Sequence, residues 1–200
     1  MTLHIGIDFD NTFVTYDEVF YKYALEQNLI PKEVKMFKQN IRDSIRKLPN
    51  GNDRWTELQA YVYGSKMSEA RPAEGIECFL QQCRQNSIKI SIVSHKTMYP
   101  AMGPRVKLRE IARQWLEEKG FLSEFGLTNN VSFVGTLDDK IEQIAQHRCT
   151  HFIDDLAEVF LHLNFPKEVE KCLYSPNKET SAILDAKCFT SWCELKDYFF

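Results

Sequence analysis

Short apolar runs alternate with amphipathic stretches along most of this 200-residue chain, and that alternation restricts the fold more than any other feature. Leu3, Ile5, Ile7 and Phe9 recur at period two across residues 3–9, as in a strand with one buried face. Residues 88–94, 131–135, 151–154 and 171–174 read as four more strands. Between them, Ile76, Phe79, Leu80 and Cys83 recur at helical spacing. So do Leu108, Ile111, Ala112, Trp115 and Leu116, and a shorter set at Ile141, Ile144 and Ala145. Strands separated by helices build βαβ units, so an α/β chain with a central parallel sheet flanked by helices is expected. The stretch from Phe165 onward is expected to add edge strands and a last helix.

One connection is too long for this plan. From Phe9 to Ile88 is 88 − 9 = 79 positions, whereas a whole βαβ unit needs about 30 residues. The surplus carries its own periodicity. Asp17-Glu18 resembles the acidic first turn of a helix running toward Gln27; Val34, Phe37, Ile41 and Ile45 line a second helix; Trp55, Leu58 and Val62 line a third. Residues 15–70 therefore read as a small helical insertion after the first strand, with Ala70-Arg71-Pro72 as the return hinge. The expected division is a core of residues 1–14 and 71–200 carrying a helical insertion over 15–70.

Bulk composition removes several classes. Lys+Arg (25) and Asp+Glu (28) leave a net charge of −3, which excludes a strongly basic nucleic-acid binder. No apolar run approaches the ~20 residues of a membrane span. No signal-peptide pattern precedes the first strand, so a cytoplasmic location is expected. The six cysteines (Cys78, Cys83, Cys149, Cys172, Cys188, Cys193) lack the two-residue gaps of zinc knuckles. They are expected to be reduced and mostly buried.

Chemistry concentrates where strands end, because ligands of open parallel sheets bind beyond the carboxyl ends of the strands. The first strand ends Asp8-Phe9-Asp10-Asn11-Thr12, with Asp8 and Asp10 on one side. The fourth ends Asp154-Asp155. Each pair alone could be a turn or a helix cap. Four carboxylates converging on one rim, however, require a cation, and hard oxygen ligands suit Mg2+. Ser94 ends the second strand, and Lys140 precedes the Ile141/Ile144 helix where a cation can reach the rim. Asp138-Asp139 read as the acidic first turn of that helix.

Together these residues resemble the haloacid dehalogenase-like (HAD) hydrolase superfamily, and the likeness spans nearly the whole chain. Asp8-Phe9-Asp10-Asn11-Thr12 is similar to its first motif, DxDx(T/V). Ser94, within Ile92-Val93-Ser94-His95-Lys96, resembles the second, Lys140 the third and Phe152-Ile153-Asp154-Asp155 the acidic fourth. The helical insertion between the first two motifs resembles the C1 class of cap. The resemblance implies a Rossmann-like core and a Mg2+-dependent phosphatase acting on a small phosphorylated metabolite. A phosphotransferase or phosphomutase, or a non-catalytic phosphometabolite-binding module, are the alternatives.

By that resemblance Asp8 is the nucleophile that forms an aspartyl-phosphate, and Asp10 is first general acid, then general base. Ser94 and Lys140 would hold phosphoryl oxygens, and Asn11 would offer its backbone N–H. Mg2+ would take the Asp8 carboxylate, the Asp10 carbonyl and a carboxylate of the fourth motif. Asp155 is favoured as the direct ligand, with Asp154 acting through water or from behind. Asn11 departs from the Gly of many relatives.

Substrate choice points elsewhere. His95 and Lys96 follow Ser94 directly and are expected to meet the phosphate or a second anionic group at the mouth of the site. Gln59 and Tyr63, beside the apolar face of their helix, are candidates to meet the leaving group. Residues 98–105 read as a loop over the site, with Arg105 as an anion contact. His4, His147, His151 and His162 show no metal-ligand spacing and are expected to be structural.

Overall fold

The computed structural model describes residues 2–177 and 185–200. Its strands are β1 His4–Ile7, β2 Val14–Thr15, β3 Arg71–Pro72, β4 Lys89–His95, β5 Val131–Val134, β6 His151–Asp154, β7 Glu170–Tyr174 and β8 Lys187–Phe189. The helices are α1 Asp17–Glu26, α2 Lys38–Ile45, α3 Gly51–Tyr63, α4 Ile76–Gln85, α5 Leu108–Glu118, α6 Phe121–Glu124, α7 Leu137–Gln146, α8 Ala157–Phe160 and α9 Trp192–Phe199. All five expected strands form, and β8 and α9 complete the C-terminal stretch.

The chain divides into two compact units. The first gathers the described residues of Met1–Val14, Pro72–Lys96 and Gly120–Phe200. It holds a parallel six-stranded sheet in the order β5-β4-β1-β6-β7-β8. The central strands are buried on both faces and read as near-continuous apolar runs, as parallel strands must. From β1 the chain lays β4 and β5 to one side, then β6, β7 and β8 to the other. The order reverses at β1, so the carboxyl ends of β1, β4 and β6 meet at the topological switch point. Buried Ile141, Ile144, Phe152, Val159, Phe160 and Leu173 make one core cluster of this unit.

Gly6 in β1 faces Phe152 in β6. A Cβ at position 6 would lie 2.5 Å from a Phe152 ring carbon and 2.8 Å from the Cys149 sulfur, so only glycine lets these strands pair here.

At the opposite end of the sheet from the acidic residues, His4 is buried in a polar chain. Its Nε2 is 2.8 Å from Ser91 Oγ, which lies 3.3 Å from His147 Nδ1, and His147 Nε2 is 3.0 Å from Ser132 Oγ. Burial, with help from Lys89 and His147, lowers the His4 pKa to about 4. The structural reading of these two histidines agrees with their placement.

The second unit gathers Thr15–Arg71 with Thr97–Lys119. Here the structure departs from the expected boundaries, which placed 97–119 in the core. The reason is local packing. The Trp115 indole of α5 donates to the Ala70 carbonyl at 3.1 Å, and Gly64 approaches the Val106 side chain. Helix α2 also differs from expectation. It starts at Lys38, and Phe37 before it is extended, so Val34 and Phe37 lie outside the helix. The Asp17 carboxylate accepts the Lys38 N–H at 2.8 Å and sets that start from a distant part of the sequence.

The six thiols are free. Cys83, Cys149 and Cys172 are buried, and burial pushes each up to about 12. Cys78, Cys188 and Cys193 are exposed, so the thiols are evenly split rather than mostly buried. Among the described residues no helix is long and apolar enough to cross a membrane.

Two outcomes follow from the sheet. Gly6→Ala should lose about 2 kcal/mol in urea unfolding, because the new methyl overpacks the β1–β6 contact. His4 protonates in the unfolded chain near pH 6.5 and in the fold only near 4, so stability should fall as pH drops through that window. The His4 share approaches about 3 kcal/mol at the acid end, at roughly 1.4 kcal/mol per unit. His4→Gln should flatten the slope between pH 6.5 and 4; an unchanged slope would remove His4 as its source.

Candidate active site

Strand β1 delivers Asp8 to the rim. The Asp8 N–H donates to the Ile153 carbonyl at 2.9 Å, extending the β1–β6 ladder by one residue, and the side chain is buried. The chain then turns sharply. Phe9 O accepts the N–H groups of Phe13 (3.1 Å) and Val14 (3.0 Å), and Asn11 N–H donates to Val14 O at 2.9 Å. Asn11 stands at φ 63°, in the left-handed region that glycine and asparagine tolerate best. That accounts for asparagine where glycine is common. Its backbone N–H donates to the Val14 carbonyl within the turn.

Phe9 and Phe13 anchor the turn from below. Phe9 meets Phe133 edge-on with centroids 5.2 Å apart, and Phe13 meets Phe121 at 4.9 Å. The Trp192 indole donates to Thr12 O at 3.1 Å and ties the loop to α9.

Lys140 is at the centre of the site. Thr136 caps α7 by accepting the Asp139 N–H at 3.1 Å, and Asp138 and Asp139 occupy the first turn as expected. One turn into the helix, the Lys140 side chain enters the rim and is 2% exposed. Its Nζ lies 2.6 Å from Asp8 Oδ1 and 2.6 Å from Asp154 Oδ2. Burial opposes the charged ammonium, but Asp154 and then Asp8 outweigh it, and the pKa is raised above the ordinary lysine range. Burial, Asp8 and Asp155 raise the Asp154 carboxyl well above the usual range, against the pull of Lys140.

Asp154 is fully enclosed, and its other oxygen accepts the Leu156 N–H at 2.9 Å. Asp155 is half-buried. It accepts from Thr12 Oγ1 at 3.3 Å and from Asn11 Nδ2 at 3.5 Å. Asp8, Asp154 and Asp155 each offer a carboxylate oxygen within 4.8 Å of the others. Three hard oxygen donors against one ammonium fit a divalent cation such as Mg2+ in charge and in donor chemistry. The Thr12 contact was not foreseen; the signal was its place as the last residue of the first motif.

Asp10 does not join that group. Its carboxylate turns to Lys96, whose Nζ lies 2.9 Å from Oδ1 and 2.6 Å from Oδ2. Lys96 is itself buried, with its ammonium 5.5 Å from the Phe9 ring centroid. The expectation that Lys96 lines an open mouth therefore differs from its placement. Extended pairing continues one residue past β4, through the Lys96 N–H to the Val134 carbonyl at 2.8 Å, and alternation there leaves His95 exposed and Lys96 buried. His95 is exposed, and its Nε2 lies 2.9 Å from the Gly135 carbonyl. Ser94 is buried two residues beyond the Ile7–Ile92 pair.

Three expected residues belong to the second unit. Tyr63 packs edge-on against Tyr16 (4.9 Å) and Phe20 (5.6 Å), with Lys38 Nζ 5.5 Å from its ring. Gln59 is half-buried on the same helix. Residues 98–105 form a loop, as expected, and the Arg105 guanidinium lies 4.3 Å from the Tyr99 ring centroid.

No sequence-family profile matches the chain, and no curated protein matches by sequence. Solved structures do match. A predicted phosphatase from Clostridium acetobutylicum has a TM-score of 0.64 at 16% identity, covering 100% of this chain and 98% of that one. A HAD family hydrolase from Deinococcus radiodurans, solved with bound phosphate and sodium, has a TM-score of 0.62 at 13% identity, covering 99% and 95%. Protein Tyrosine Kinase A (PtkA) of Mycobacterium tuberculosis has a TM-score of 0.63 at 14% identity, covering 98% and 97%. The chain has the fold of HAD-superfamily hydrolases.

Removing the ammonium while leaving its carboxylates should be costly. Lys140→Met is expected to lose about 3–5 kcal/mol at pH 7 in urea unfolding, the cost of stranding buried charge. Adding Asp154→Asn should restore part of that loss. Equal stability of wild type and Lys140→Met would show that the pair is not a structural requirement.

Proposed function

We propose that this protein is a phosphatase that hydrolyses a small phosphorylated metabolite through an aspartyl-phosphate on Asp8, with Mg2+ as cofactor. The observation that carries this reading is the buried Lys140 ammonium shared by Asp8 and Asp154 beside Asp155. The HAD-type fold, which includes a predicted phosphatase and a hydrolase holding phosphate, supports it.

Asp8 Oδ attacks phosphorus, and the new O–P bond forms as the bond to the leaving oxygen breaks. The electron pair goes to that oxygen, which takes a proton from Asp10. Water then attacks the aspartyl-phosphate, Asp10 takes the water's proton, and the Asp8 O–P bond breaks to release phosphate. Lys140 holds Asp8 by one oxygen and sets its direction, while Ser94 and the Lys140 ammonium face the phosphoryl oxygens. Asp8, the Asp10 carbonyl and Asp155 would hold Mg2+, with Asp154 behind, engaged by Lys140 and Leu156 N–H. When bound, the cation supplies charge neutralisation on the transferring phosphoryl group.

The second reading is transfer to an acceptor other than water, by a phosphotransferase or phosphomutase. The likeness to PtkA, named a tyrosine kinase, favours carrying it. Residues 15–70 would act as the cap that selects substrate, with Gln59 and Tyr63 as candidate contacts and Arg105 of the 98–105 loop as a candidate anion contact.

The expected result is phosphate release from a panel of sugar phosphates, nucleotides and phospho-acids, abolished by EDTA and restored by Mg2+. Asp8→Asn should lose at least about 10³-fold in kcat, as loss of a covalent nucleophile does. Equal activity in that variant would sink the reading. Phosphorylated product formed from added alcohols, rather than inorganic phosphate, would move the assignment to transfer.

A further inference from the structure

Asp8 and Asp10 leave the same strand two residues apart, yet their side chains part company. Asp8 turns to Lys140 and the other rim carboxylates. Asp10 turns to Lys96, which meets both of its oxygens. The Lys96 side chain is 3% exposed and that of Asp10 is 20% exposed. A lysine that deep is stable only against an opposite charge or a set of acceptors. Lys96 is anchored from the other side as well, since its N–H donates to the Val134 carbonyl at 2.8 Å and holds its backbone to β5.

The geometry points to Lys96 as the positioning residue for Asp10: it holds the Asp10 carboxyl group apart from the Asp8/Asp154/Asp155 group and aimed for proton transfer. This rests on the phosphatase reading and adds a residue to it. Without Lys96, the Asp10 side chain can rotate toward the cation group, where an added carboxylate is a competent ligand but a misplaced acid. The ammonium needs only one Asp10 oxygen as acceptor, so the other can carry the proton delivered to the leaving oxygen. Lys96 acts through Asp10 and meets no substrate atom in this scheme, in contrast to a lysine that binds a second anionic group of the substrate.

The two roles separate by leaving-group chemistry. Phenyl phosphate and p-nitrophenyl phosphate have nearly the same shape, but the p-nitrophenolate departs with far less need of a proton. The quantity read is kcat/KM, which reports the steps through leaving-group departure. Lys96→Met should lose about 10²-fold on phenyl phosphate, within the range for a general acid, and at least about ten-fold less on p-nitrophenyl phosphate. Asp10→Asn should show the same imbalance. In the Asp10→Asn background, adding Lys96→Met should cost less than about two-fold, because the two act as one unit. Lys96→Gln, which keeps a donor but not the charge, serves if Lys96→Met does not fold, and should show an imbalance of the same sign and smaller size.

Equal losses on both esters, or full additivity with Asp10→Asn, would overturn the positioning role while leaving the phosphatase reading intact. A wild-type protein that releases phosphate from neither ester would overturn both.

Discussion

One buried ammonium makes this site possible. Asp8 and Asp154 both reach Lys140 at 2.6 Å, and all three side chains are almost wholly enclosed. Without that charge, the carboxyl ends of β1 and β6 would bring like charges together in a low-dielectric place, and neither strand could end where it does. The cost of burying Lys140 is met by two carboxylates, and the cost of burying the carboxylates is met by Lys140. The third carboxylate, Asp155, stays half-buried and takes weaker contacts from Thr12 and Asn11. The arrangement thus carries excess negative charge at the rim, which is what a divalent cation would neutralise.

The sheet supplies the precision. Parallel pairing of β1 with β6 continues through the Asp8 N–H, so the proposed nucleophile is part of the hydrogen-bonded ladder rather than a loop residue. The chain leaves that ladder only after Asp8, through a turn that needs a left-handed residue at Asn11. Close approach of β1 and β6 also requires Gly6, because any Cβ there would strike Phe152. Rigid support on one side and a sharp exit on the other fix the direction of Asp8 and separate it from Asp10.

The second unit has a different logic. Its expected members were the three helices between the first two motifs, and the structure adds α5 with the loop before it. Trp115, with its indole bonded to Ala70, joins segment 97–119 to segment 15–71. The aromatic cluster of Tyr16, Phe20, Trp55 and Tyr63 forms the interior of this unit, which places Tyr63 among core contacts as well as among candidates for recognition.

Much of this was legible in the order of residues. Short apolar runs located every strand of the large sheet except β8, and the 79-position gap exposed the insertion, because apolar patterning and chain length are local quantities. The acidic strand ends and Lys140 were legible too, since a parallel sheet always presents its carboxyl ends together. What the order of residues left open depends on distance through space. Nothing near Lys96 reveals that it would fold inward onto Asp10, 86 residues away; the direction of the side chain just past β4 and the neighbouring exit of β1 decide that. Nor does the helical pattern over 34–45 show that Asp17 would set the start of α2 at Lys38. The chain by itself determined which chemical groups reach the rim. Tertiary structure decided which carboxylate each lysine takes, because buried charges choose partners by proximity and shared desolvation, not by separation along the sequence.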